Sequence, residues 1–167
     1  MLFFACLLTL LCACSPDAGE ERPEGLQLYF LQDSAEGQFS HGPALVGQPY
    51  AGEGENVIPG DLIQALLQGP TREGLKSPFP KGLYCRWWHW DEEEPGKLRV
   101  GMSAHYDGLT DVALTLADYS LVLTLCQLPE VECVEIVSQS GSQSYRSHPL
   151  LSVQEVLLQD EVILRHM

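Results

Sequence analysis

Basic side chains are scarce in this chain: 9 Lys and Arg stand against 23 Asp and Glu, for a formal net charge of -14 over 167 residues. A polyanion would be repelled, and no Lys/Arg cluster exists to displace counterions from phosphates, which argues against nucleic acid as a partner. The same deficit disfavours a domain lying flat on anionic lipid. Recognisable catalytic and metal motifs are missing too. His41, His89, His105, His148 and His166 are scattered singly, with no H-E-x-x-H or H-x-x-H pair, and no C-x-x-C follows the first fourteen residues. There is no Walker loop and no G-x-G-x-x-G. Gly101-Met102-Ser103-Ala104-His105 lacks the second glycine of a nucleophile elbow, so a hydrolase would need a distributed site built on Ser103 or His105. The acidic runs Glu20-Glu21 and Asp91 to Glu94 occupy a linker and a turn, where solvation keeps carboxylates too ordinary for general-acid work. The expectation is a protein with no catalytic residues, no metal and no cofactor.

What is present begins with an apolar leader. Residues 1–14, MLFFACLLTLLCAC, carry no charge and are too few to span a bilayer as a helix, but they suit the apolar region of a signal peptide. Leu11-Cys12-Ala13-Cys14 resembles the bacterial lipoprotein signal. That resemblance implies cleavage after residue 13 and a diacylglycerol on the Cys14 thiol; bulky Leu10 and Leu11 before Cys12 make that residue a poorer substrate. Attachment through more than one acyl chain is what stable anchoring requires. The next residues, SPDAGEERPEG (15–25), have linker composition and would reach roughly 35 Å if fully extended. With 45% hydrophobic residues, the remainder is rich enough in apolar side chains to bury a core.

Leu26 to Leu31 alternates as a first strand, with Leu28 and Phe30 on one face; Ala44 to Tyr50 is a weaker second. From Pro59 the spacing is helical. Ile58, Leu62 and Leu66 form one stripe with Ile63 and Leu67 beside it, Pro59 suits a first helical position, and Gly69-Pro70 ends the run. Leu83 to Trp90 (LYCRWWHW) is strand-like, and strict alternation would put Tyr84, Arg86, Trp88 and Trp90 opposite Cys85, Trp87 and His89. The acidic turn DEEEPG (91–96) leads back through Lys97 to Met102 as a hairpin. Asp111 opens the longest helix, to about Gln127, with Val112, Leu116, Tyr119, Leu123 and Cys126 in 4-3 spacing and Leu121, Val122, Leu125 and Leu128 widening the stripe. Val131 to Val137 alternates as another strand. Gly141 and Tyr145 fit a short hairpin, and Leu150 to Leu158 a final turn or short helix.

Two groups of side chains stand out. Trp87, Trp88 and Trp90 crowd one strand; if one face is core, the other exposes large aromatics of the kind that mark contacts with a protein partner or a cell-wall glycan. Coverage of both faces is the plainer alternative. Cys85, Cys126 and Cys133 follow the leader, and an odd number leaves one over. Cys126 and Cys133 either pair across the turn between helix and strand or serve as small buried hydrophobes.

In this order the pieces resemble the sporulation and spore germination (GerM) domain family. The resemblance rests on Leu28-Tyr29-Phe30, the helix closed by Gly69-Pro70, Gly74-Leu75, and Pro78-x-Pro80-x-Gly82 before an aromatic strand. It continues in Val100-Gly101-Met102-Ser103 where the family has V-x-x-S, in Leu123 to Pro129 as its T-L-T-x-L helix end, and in the strand Val131 to Val137. It covers residues 26–140, with 1–13 as signal peptide, 14–25 as lipidated tether and 141–167 as a C-terminal extension. It implies an α+β fold, a mainly antiparallel β-sheet packed against two α-helices. It also implies a non-enzymatic, lipid-anchored envelope protein on the extracytoplasmic face. Family members are lipoproteins that help place protein complexes at a membrane in sporulation and germination, and some assist sensor kinases.

Overall fold

The computed structural model describes residues 25–33, 44–52, 56–138 and 150–156. The leader, Cys14, the tether and the hairpin expected around Gly141 and Tyr145 lie outside them. Within them, seven strands and two α-helices form an α+β domain. The expected sheet is in fact two sheets. One has the order β2-β1-β3, built from β1 (Gln27–Gln32), β2 (Leu45–Pro49) and β3 (Leu75–Lys76). The other has the order β4-β5-β6-β7, built from β4 (Cys85–Trp90), β5 (Lys97–Met102), β6 (Cys133–Ser138) and β7 (Leu150–Ser152). Every strand pair is antiparallel except β5 with β6. A parallel pair needs a long crossover, and α2 (Asp111–Leu125) supplies it.

α1 (Pro59–Gln68) starts on Pro59, whose missing N–H costs nothing at that position. The Asp61 carboxylate accepts the Ile58 N–H at 3.2 Å, and Gly69 ends the helix at φ 93°. Leu62, Ile63 and Leu66 are buried as expected; Ile58 is not on the stripe, because it caps the helix from outside and stays 49% exposed. β3 was not among the expected strands, since two residues are too few to show alternation. The last apolar stretch, expected as a turn or short helix, opens instead as β7 along β6 and then turns at Val153–Glu155.

α2 buries a different face from the one its 4-3 spacing marks. Val112 is 70% exposed and Leu116, Tyr119 and Leu123 are half-buried, whereas Leu114, Ala117, Leu121, Val122 and Leu125 are in the core. The helix packs along β1 and also against β6 and α1, so it is enclosed on several sides and no single stripe describes it. Polar side chains on it and just past its end have a separate task. Thr124 Oγ1 accepts the Tyr29 N–H at 3.1 Å and Ser120 donates to the Tyr29 carbonyl at 2.6 Å. The Gln127 amide accepts the Gln27 N–H at 2.8 Å and donates to the Gln27 carbonyl at 2.7 Å. Residues 120, 124 and 127 thus line up along the edge of β1 that short β3 leaves uncovered, and replace a neighbouring strand with side-chain groups.

Candidate interaction surface

β4 is one outer strand of the four-stranded sheet, and its side chains do not simply alternate. A bulge between Cys85 and Trp87 shifts the register, so that Cys85 faces Met102, Trp87 faces Gly101, Trp88 faces Val100 and Trp90 faces Leu98. Met102, Val100 and Leu98 are fully buried. Cys85, Trp88 and Trp90 therefore lie on the core side and Trp87 and His89 on the outer side, which corrects the strict alternation expected for this strand.

Each Trp has a separate setting. Trp88 is half-buried against the first turn of α1, where a Cβ on Gly60 would come within 2.7 Å of its Nε1. Trp87 lies over Gly101; a Cβ there would sit 2.1 Å from the ring, so the indole occupies the space of the absent side chain. His89 stacks on Trp87 with ring centroids 4.8 Å apart and planes 26° from parallel. Trp87 and Trp90 are each 37% exposed and neighbouring Tyr84 is 54% exposed.

Between β4 and α1 runs a groove of about 900 Å³. Buried Ile63 and Leu83 lie at its base, and exposed Gln64, Gln68, Tyr84 and Arg86 stand at its rim. Its one lining thiol is Cys85. Burial raises the pKa of that thiol, more than its hydrogen bond to the Trp87 carbonyl at 3.2 Å lowers it. A protonated thiol is a poor nucleophile.

Beyond His89 the outer face is charged. Arg99 Nε meets Glu135 at 2.8 Å, and Lys97 Nζ lies within 3.5 Å of Asp91, Glu94 and Glu135. Asp91 accepts the N–H groups of Glu93 and Glu94, both at 3.0 Å, and these bonds, helped by Lys97, hold its carboxyl below the usual range. Desolvation works against the Lys97 ammonium, but the Glu94 hydrogen bond and the charges of Glu135, Asp91 and Glu94 outweigh it and raise its pKa.

Ser103 is 1% exposed; its hydroxyl accepts the Tyr84 N–H at 3.3 Å and sits 3.4 Å from Nδ1 of exposed His105. That hydroxyl ties the residue before β4 to the residue after β5. Among the described residues no three His, Cys, Asp or Glu side chains are grouped to hold a metal, and no helix is long and apolar enough to cross a membrane. Cys126 and Cys133 carry reduced thiols at the two ends of the α2–β6 connection. The roles of Gly60 and Gly101 as seats for indole rings were not anticipated, although a glycine inside a strand is a sequence signal of close approach.

Comparison with known proteins adds a family. The profile described as "Germane: Sporulation and spore germination" matches residues 27–140. No curated protein matches. Among solved structures, a candidate lipoprotein from Clostridium perfringens is 20% identical with a TM-score of 0.42, over 68% of this chain and 73% of that one. The tandem GerMN domains of the sporulation protein GerM from Bacillus subtilis are 19% identical with a TM-score of 0.46, over 76% of this chain and 44% of that one.

Proposed function

Because this chain belongs to the Germane, or sporulation and spore germination, domain family, we propose that it is a non-enzymatic envelope protein of sporulation or germination. It docks a protein partner on β4 and the groove beside α1, and a lipid on Cys14 holds it at the membrane, outside the cytoplasm. The observation that carries the reading is the state of the β4 edge. Exposed edge strands are ordinarily blunted by lysine, proline or shortness. This one is six residues long, has Arg86 as its one Lys or Arg, and exposes two indoles, of which Trp87 lines an open groove and Trp90 stands further along the strand. Tryptophan and tyrosine are the residues that interface cores favour. An extended partner segment added along β4 would complete its backbone hydrogen bonds and place alternate side chains in the groove.

The test is crosslinking of the anchored protein in intact cells, with captured proteins identified by mass spectrometry, beside a Trp87→Ala/Trp90→Ala variant. Capture of one membrane complex that the variant loses supports docking here; equal, diffuse capture by both overturns it. Trp88 is left intact because it packs against α1.

A second reading is favoured by the Trp87–His89 stack. A stacked aromatic pair, with His89 opposite Arg99 and its partner Glu135, is suited to a sugar ring and its hydroxyls, making the protein a binder of cell-wall glycan. Quenching of tryptophan fluorescence by muropeptides, absent in Trp87→Ala, would separate it from protein docking.

A further inference from the structure

The two ends of the connection from α2 to β6 bring a pair of thiols together. α2 closes at Cys126, whose N–H bonds the Val122 carbonyl at 2.9 Å. Two consecutive tight turns follow, Leu128 N–H to the Leu125 carbonyl at 3.1 Å and Val131 N–H to the Leu128 carbonyl at 3.0 Å. The chain is then pinned to the β4–β5 turn, with the N–H groups of Glu132 and Cys133 both bonded to the Gly96 carbonyl, at 2.8 and 3.3 Å. The folded-back connection leaves Cys126 Sγ 3.9 Å from the Glu132 carbonyl oxygen. That oxygen is three bonds from the Cα of Cys133. Both cysteines are half-buried, so a small disulfide or an oxidoreductase has access that a core position would deny.

We propose that Cys126 and Cys133 are an oxidation site that forms one intramolecular disulfide, stapling the end of α2 to the first residue of β6. The oxidant is a disulfide donor, either a thiol oxidoreductase or oxidised glutathione. One cysteine attacks the donor as thiolate and releases the first donor sulfur; the second cysteine attacks the mixed disulfide and releases the other. The two cysteine protons end on two donor thiols, and the two electrons reduce the donor. The position is informative. Cys126 lies between Thr124 and Gln127, two of the side chains that line the β1 edge, and Cys133 pairs with Ser152 of β7. A bond here fixes the junction of α2, β6 and β7 while leaving β4 and its groove untouched. Cys85, across the sheet on β4, is the odd cysteine and stays a thiol.

Purified full chain is incubated with oxidised glutathione, alkylated, and cleaved after glutamate. Cleavage at Glu130 and Glu132 separates the two cysteines, so an intramolecular bond appears as two linked peptides. The linked pair is expected, together with a rise in Tm of about 5 °C that dithiothreitol reverses. In Cys133→Ser oxidation should leave Tm unchanged. Separate alkylation of Cys126 and Cys133 after oxidation, or linkage of either to another cysteine, overturns the proposal. Reduction of the wild-type protein reads the same bond without any variant, should Cys133→Ser fold poorly.

Discussion

Thr124 contributes one hydroxyl to the edge of β1, and its removal has a defined cost. Thr124→Val keeps the shape and leaves the Tyr29 N–H without its acceptor, so a loss of about 1–3 kcal/mol is expected in chemical denaturation. If Thr124→Val unfolds at the same denaturant concentration as wild type, the helix side chains are not what satisfies β1. Gly101 sets the seat of Trp87. Gly101→Ala places a methyl 2.1 Å from the ring, so the indole must lift off the sheet. In a Trp88→Phe/Trp90→Phe background the remaining fluorescence should shift to the red and become more open to acrylamide quenching. Cys126 is the slow thiol: burial first, then the charge of Cys133, push its pKa up to about 11. Its alkylation at pH 7.5 is expected to be about 100-fold slower than that of an ordinary cysteine.

At the scale of elements, the β4–β5 hairpin is held by its turn and the charges beside it. The Asp91 carboxyl has a folded pKa below its unfolded value, so its contribution is present above about pH 4 and is lost as pH falls through the lower folded value. Lys97 is raised, so its contribution is present below about pH 10.4 and is lost as pH rises beyond that. The stability difference between wild type and Asp91→Asn should therefore be constant near neutrality and shrink on acidification below about pH 4. A difference that stays flat down to pH 2 would remove the turn from this account. The hairpin and α1 were legible in the sequence because each is a local pattern with its own punctuation: an acidic Pro-Gly turn, a first-position proline, a closing glycine. The bulge in β4 was not, because Cys85 shifts toward Met102 only when β5 is there to set the register.

For the whole molecule, the membrane claim rests on residue 14. Cys14→Ala is expected to abolish incorporation of labelled fatty acid and release the protein from membranes; retention of both would end the lipoprotein reading. Family and class were readable from the sequence alone, since strand, helix and turn signals succeed one another in an order to which tertiary structure added only the short strands β3 and β7. Leu28 and Phe30 alternate into the core and Leu62, Ile63 and Leu66 repeat with helical period because those patterns need no knowledge of the partner surface. Three features were decided only by assembly. α2 is surrounded by β1, β6 and α1, so the face it buries follows from neighbours distant in sequence. The strands divide into two sheets because α2, through Ser120 and Thr124, and Gln127 just past its end occupy the edge of β1 where another strand would have paired. The three tryptophans took different settings for the same reason: the space available to an indole is set by Gly60 and Gly101, and what lies opposite a glycine is a property of the fold.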